Sequence, residues 1–176
     1  MPDCFNKPDD IIWRSYRKVP VAKLAYHQRD WVLDRGSLTK RLIQASNGHF
    51  KVELSRQTWE LPNLDEQLLL KLPTGQHALI REVLLLCHGV VWVKARSVIP
   101  KQTLTGPEKQ LAYLGERPLG AFLFRSKTMK RGPFQIASFR NKKQKNASAR
   151  RSVFFLHDKP VLVSEFLMPA VFACSN

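Results

Sequence analysis

Two arginines and one glutamate stand where the surrounding pattern calls for apolar side chains. In Ala78–Cys87 (ALIREVLLLC), strand alternation puts Leu79, Arg81, Val83, Leu85 and Cys87 on one face, and Arg81 is the only charge among them. In Val90–Ile99 (VVWVKARSVI), Arg96 shares a face with Val90, Trp92, Lys94 and Val98. In the last apolar run, Val161, Val163, Glu165 and Leu167 share a face whose only charge is Glu165. A guanidinium cannot shed its proton, so each arginine needs an anion nearby. Its forked donors match a carboxylate two bonds at a time. Two chemistries suit this set. One is an Arg–Glu–Arg ion network internal to a sheet. The other is a pocket whose arginines hold the carboxylates of a ligand. The pattern leaves both open.

Other residue types offer less. His27, His49, His77 and His157 show no metal-ligand spacing, and His88 sits in a turn. Cys4, Cys87 and Cys174 are odd in number and far apart, which is neither a disulfide framework nor a zinc ribbon and points to a reducing compartment. Cys87 reads as a small buried hydrophobe. There is no Ser-His-Asp order and no GxGxxG or GxxxxGK phosphate loop.

The elements that must position the three charges follow from periodicity and turn chemistry. ALIREVLLLC and VVWVKARSVI are joined by His88-Gly89, which reads as a hairpin with a two-residue turn. Facing residues then have numbers summing to 177, so Leu85 faces Trp92, Val83 faces Lys94, and Arg81 faces Arg96. Phe50, Val52 and Leu54 alternate with polar residues as in another strand. Thr128–Phe139, Ser152–Leu156 and Val161–Met168 read as further strands. Helices are expected from Val21 to Asp34, from Leu38 to Ala45 behind a Ser37 cap, at Leu64–Leu70, from Thr105 to Leu114, and from Pro118 into Phe124. The fold class is α+β: one antiparallel sheet of about six strands with short helices in two inserts, 21–46 and 104–124. Residues 1–18 read as an N-terminal arm and 140–149 as a basic loop. The whole chain, 1–176, reads as one domain.

The chain carries 29 Lys and Arg against 14 Asp and Glu, a formal charge of +15 with a pI near 10.2. Such a balance suggests nucleic acid when the charges line one face. Ten of the 29 fall between Arg125 and Arg151, and no acid occurs from Ala121 to His157, so the excess is local. With 44% hydrophobic residues in periodic blocks, disorder throughout is excluded. The richest apolar stretch, Ala78–Val93, is broken by Arg81 and Glu82 and is too short for a membrane span. The first ten residues carry no secretory signal pattern.

Five segments in order, WVLDRGSLTKRL (31–42), LIREVLLLC (79–87), VWVKARSVIP (91–100), TLTGPEKQLAYLGERPLGAFLF (103–124) and KPVLVSEFLMPA (159–170), resemble the chorismate pyruvate-lyase family. That resemblance implies a cofactor-free, metal-free, monomeric cytoplasmic lyase that makes 4-hydroxybenzoate and pyruvate from chorismate, toward ubiquinone. It implies a product buried under helical flaps, here the two inserts. It also implies Arg81, Arg96 and Glu165 as catalytic residues, with ligand contacts from Leu38 and Leu119. On this reading Arg81 holds the ring carboxylate, Arg96 the enolpyruvyl carboxylate, and Glu165 the hydroxyl. Many relatives carry Met at the position of Leu38. No nucleic-acid partner is expected. The rival readings are an effector-binding module of similar fold and a basic nucleic-acid-binding protein.

Overall fold

A computed structural model describes residues 11–19, 26–141 and 144–173, with the side chains of residues 27 and 138–147 outside the description. Among these residues one antiparallel sheet contains eight strands: β1 (Arg14–Ser15), β2 (Phe50–Glu60), β3 (Ala78–Cys87), β4 (Val90–Pro100), β5 (Lys130–Arg131), β6 (Gln135–Asn141), β7 (Gln144–Leu156) and β8 (Lys159–Leu167). Their order is β1-β6-β7-β8-β4-β3-β2, with β5 pairing on β7. Two strands have two residues each, which leaves the six long strands that the sequence suggests. The helices are α1 (Tyr26–Leu33), α2 (Leu38–Ala45), α3 (Leu64–Leu70), α4 (Leu119–Arg125) and α5 (Pro169–Ala173), with a 3-10 helix at Gly106–Tyr113.

The two faces of the sheet are covered differently. On one face, Trp31, Val32, Leu38 and Leu42 of the first insert pack with Val52, Val83, Leu85 and Trp92. Beside them, Leu111, Leu114, Leu119 and Leu123 of the second insert pack on Leu79, Phe154 and Val163. On the other face, Leu70 of α3 packs on Ala78, Ile80, Val98, Val153 and Leu162. Ser37 caps α2 through Lys40 N–H, as its residue type predicts. The α3 helix starts with a capping box in which Glu66 accepts from the Asn63 amide at 3.0 Å.

The β3–β4 hairpin corrects the expected register. His88 and Gly89 both have positive φ (51° and 74°), as a two-residue primed turn requires. Next to the turn, Cys87 pairs with Val90 and Leu86 with Val91, as the two-residue turn predicts. A bulge then intervenes between Leu85 and Leu86, so Leu85 pairs with Val93, Arg81 with Ser97, and Glu82 with Arg96. Trp92 is the extra residue, and Trp92 and Val93 both go into the same apolar cluster. A one-residue slip flips every later side chain to the opposite face. Arg96 therefore lies on the α3 face and Arg81 on the flap face.

Two other expectations are revised. Gln144–Ala149, within the segment 140–149 expected as a basic loop, belongs to β7, whose residues from Ser148 onward pair with β8. The run Asn-Ala-Ser-Ala has little strand propensity of its own, and pairing on both edges overrides it. Of the N-terminal arm, residues 1–10 lie outside the described residues, while Arg14–Ser15 pairs with Gln135–Ile136. Cys4 and Cys174 also lie outside; Cys87 is buried.

Candidate active site

A pocket lies between the flap face of the sheet and the two inserts. Its floor comes from alternate residues of three adjacent strands: Arg81, Val83 and Leu85 of β3, Ala95 and Ser97 of β4, and Val163 and Glu165 of β8. Its roof comes from Leu38 and Thr39 of α2 and from Leu119, Leu123 and their neighbours on α4. Four of the five residues singled out in the sequence, Arg81, Glu165, Leu38 and Leu119, thus line one cavity.

Arg81 is 1% exposed. Its Nη2 donates to the carbonyls of Gly115 (2.8 Å) and Arg117 (2.9 Å), which tie the second insert to the sheet. Its Nε has no hydrogen-bond partner, and no carboxylate among the described residues pairs with it. Burial without a counter-charge pushes its pKa down to about 10, so the guanidinium is still charged at neutral pH. A buried donor left unmade is costly. A ligand carboxylate would satisfy both the donor and the charge.

Glu165 sits one step along the strand direction and two strands across, in register with Ala95 and Arg150. Arg150 Nε donates to Glu165 Oε2 at 2.6 Å. Arg150 Nη1 donates to the carbonyls of Trp31 (3.0 Å) and Asp34 (2.6 Å) at the end of α1. Arg150 therefore anchors the first insert much as Arg81 anchors the second. It also fixes Glu165 by one oxygen, and Oε1 accepts no hydrogen bond from a described residue. Two-residue alternation along β7 would have placed Arg150 on this face, had that strand been read as starting before Ser152.

Leu38 and Leu119 are the first residues of α2 and α4. Amides at that position have no carbonyl one turn back to bond. Both side chains are buried, at 4% and 7% exposure. The two helices meet where a Cβ on Gly120 would lie 2.8 Å from Thr39 Oγ1, so only glycine allows this approach. Arg131, from the short strand β5, also lines the pocket and was not singled out in the sequence.

Arg96 does not line this pocket. Its Nε and Nη2 donate to the two oxygens of Glu66 at 2.9 and 3.1 Å, and its Nη1 donates to Glu82 at 2.6 Å. Glu60 lies 3.5 Å from the same Nη1. Burial alone would lower the Arg96 pKa, but the bonds and charges of Glu66 and Glu82 hold it above the ordinary guanidinium value. Beside this cluster, Arg151 pairs with Asp65 and donates to Gln135 at 2.6 Å. The expected network of Arg81, Glu165 and Arg96 does not form: Arg96 belongs to an ion network with Glu66 and Glu82 that holds α3, Glu165 pairs with Arg150, and Arg81 lines the pocket.

Among the described residues no group of three His, Cys, Asp or Glu side chains is placed to hold a metal ion, and no helix is long and apolar enough to cross a membrane. The pocket offers a buried, unpaired guanidinium, a carboxylate with one free oxygen and an apolar enclosure under two inserts. That set suits an acid carrying a hydroxyl group.

The fold is similar to the effector domain of PhnF from Mycobacterium smegmatis, at 14% identity and a TM-score of 0.56 over 77% of this chain and 90% of that one. At this identity the likeness concerns the fold alone. Sequence similarity goes further. A probable chorismate pyruvate-lyase of Methylococcus capsulatus is 43% identical over 80% of this chain and 94% of its own length. One of Marinobacter nauticus is 37% identical over the whole of this chain and 98% of its own length. The chorismate pyruvate-lyase of Salmonella arizonae is 35% identical over 89% of this chain. The chorismate lyase family model matches residues 7–175, and with the relatives it shows that the chain belongs to the chorismate lyase family.

Proposed function

We propose that this chain cleaves chorismate to 4-hydroxybenzoate and pyruvate in the pocket of Arg81 and Glu165, as a cytoplasmic monomer whose product feeds ubiquinone synthesis. The observation that carries the reading is the Arg81 guanidinium, buried, charged and unpaired at Nε in a cavity whose other charged floor residue is Glu165.

Chorismate carries a ring carboxylate at C1, an enolpyruvyl ether at C3 and a hydroxyl at C4. Arg81 Nε donates to the ring carboxylate. Glu165 Oε1 accepts the C4 hydroxyl, while Arg150 keeps the carboxylate oriented through Oε2. The main-chain amides of Leu38 and Leu119 are donors for ligand oxygens at the roof. In the reaction the C3–O bond breaks and its electron pair goes to the departing enolpyruvate. The C4 hydrogen leaves as a proton, and the enolpyruvate methylene gains one to become the methyl group of pyruvate. The remaining ring is aromatic, so the substrate supplies much of the driving force. The protein orients the ring, excludes water and fixes donors in advance of the charge they meet.

Incubating the purified chain with chorismate and following 4-hydroxybenzoate and pyruvate tests this reading. Equimolar release of both is expected; a folded chain that binds chorismate and releases neither is an effector-type binder and not a lyase.

The roof contact gives a further expectation. Gly120→Ala pushes its methyl against Thr39, a β-branched side chain with little rotamer freedom in a helix. The inserts then close less completely. Dissociation of 4-hydroxybenzoate, read by stopped-flow displacement, is expected to speed up several-fold while the melting temperature of the free protein changes little.

A further inference from the structure

Chorismate has two carboxylates, and with Arg96 on the far face only one of them has a partner in the site described so far. The structure holds a second guanidinium for it. Arg131 reaches the pocket from β5, and its guanidinium is stacked against the rings of Phe134 and Phe154, with centroids at 3.8 and 4.8 Å. Two further bonds fix its direction: Nε donates to Ser152 Oγ at 3.2 Å and Nη1 donates to the Arg35 carbonyl at 3.0 Å. Nη2 donates to no described residue, and no carboxylate forms an ion pair with this arginine among the described residues. Burial pushes its pKa down to about 10, with Glu165 and Asp34 pulling against Arg150 and Arg35. A rigidly held, half-desolvated guanidinium without a counter-ion is an anion site by its own chemistry.

Its place in the pocket is specific. Arg131 Nε is bonded to Ser152 of β7, which pairs with Val163, two residues from Glu165 on β8. Arg81 lies two strands further across the sheet, paired with Ser97 of β4, which in turn pairs with Val163. Glu165 and Arg131 are thus on the β7–β8 side of the pocket, and Arg81 stands on the β3 side. On the substrate, the C4 hydroxyl and the C3 ether are neighbours on the ring, and the C1 carboxylate lies across it. Arg131 also lines an outer recess with Tyr16, Arg17 and Arg35, so it stands on the wall between the pocket and the surface. The group held there is the one that has to depart.

Resting on the chorismate reading, we infer that Arg131 binds the enolpyruvyl carboxylate of the substrate and so distinguishes chorismate from 4-hydroxybenzoate. It contacts the leaving fragment and contributes nothing to the ring carboxylate. As the C3–O bond breaks, Arg131 stays on the carboxylate of the departing enolpyruvate, at the side of the pocket that borders the basic recess.

Two aromatic ligands that cannot react separate this role from a structural one. 4-Hydroxybenzoate presents the C1 carboxylate and C4 hydroxyl alone. 3-(Carboxymethoxy)-4-hydroxybenzoate adds a carboxylate on an ether at the C3 position. Titration calorimetry on wild type and Arg131→Gln should show at least about tenfold weaker binding of the dianion in the variant, with 4-hydroxybenzoate changed by less than about threefold, the size of one charge-assisted contact. Arg131→Lys, which keeps the charge and loses the planar fork, should fall between them for the dianion. In kinetics, kcat/KM for chorismate should fall with the dianion affinity while inhibition by 4-hydroxybenzoate persists. Equal weakening of both ligands, or no weakening of the dianion, overturns the assignment. If wild type releases no product from chorismate, the lyase reading fails, and the two-ligand comparison still decides whether Arg131 is the second carboxylate site.

Discussion

Replacing Arg81 by methionine is expected to abolish turnover and to weaken 4-hydroxybenzoate binding by about a hundredfold or more. The ring carboxylate is common to substrate and product, so both lose the same partner. One or two charge-assisted bonds of about 1.5–3 kcal/mol each account for the size of the effect. Stability should respond differently. Methionine fills similar volume and removes a charge buried with no counter-ion. That gain offsets the lost bonds to the Gly115 and Arg117 carbonyls. The free variant should therefore melt close to wild type, yet show none of the rise that product gives wild type; saturation at about a hundred times Kd is worth about 2.7 kcal/mol. Calorimetric binding and a thermal melt with and without product check both parts. A variant that binds product normally would remove Arg81 from the site.

The second large effect concerns the opposite face. Arg96→Met leaves Glu66 and Glu82 buried without the guanidinium between them; breaking such a network typically costs about 3–5 kcal/mol. For a chain of this size that corresponds to a fall in melting temperature of roughly 6–20 °C. Below the transition, the folded fraction should keep its 4-hydroxybenzoate affinity and most of its turnover, because Arg96 does not line the pocket. Removing the partners together tests the cause. In Arg96→Met with Glu82→Leu and Glu66→Gln, glutamine can still accept from the Asn63 amide of the capping box. Most of the lost stability should return. A variant of wild-type stability with turnover lost would instead restore Arg96 to the reaction.

Much of this molecule is legible in the sequence. The six long strands, the Ser37-capped α2, the turn at Leu64–Leu70 and the two inserts follow from periodicity and caps. So does the choice of Arg81 and Glu165, each a charge on an apolar strand face. Arg96 shows where such reasoning stops. It satisfies the same criterion as Arg81, and one bulged residue at Trp92 sends it to the other side of the sheet. Nothing in VVWVKARSVI announces a bulge, because Trp92 and Val93 are apolar under either register. The resemblance carried Arg96 along with its neighbours and could not say which face it occupies.

Arg131 and Arg150 were hidden for a different reason. They lie in the acid-free stretch 121–157, where local charge reads as a solvated patch. In the fold, Arg150 is 1% exposed and holds both Glu165 and the end of α1, Arg151 is 5% exposed and braces α3, and Arg131 is clamped between two phenylalanines. A chain that fixes its flaps with guanidiniums needs buried cations, and the acids that pair with Arg150 and Arg151 lie elsewhere in the sequence. Part of the positive charge that suggested nucleic acid is interior.

The most direct test of the central claim is a crystal structure of the chain with 4-hydroxybenzoate. The ring is expected between the sheet and the two inserts, its carboxylate on Arg81 Nε and its phenol oxygen on Glu165 Oε1, with Arg96 still bound to Glu66 and Glu82 on the far side. Product bound in the reverse orientation, or against Arg96, would contradict the account.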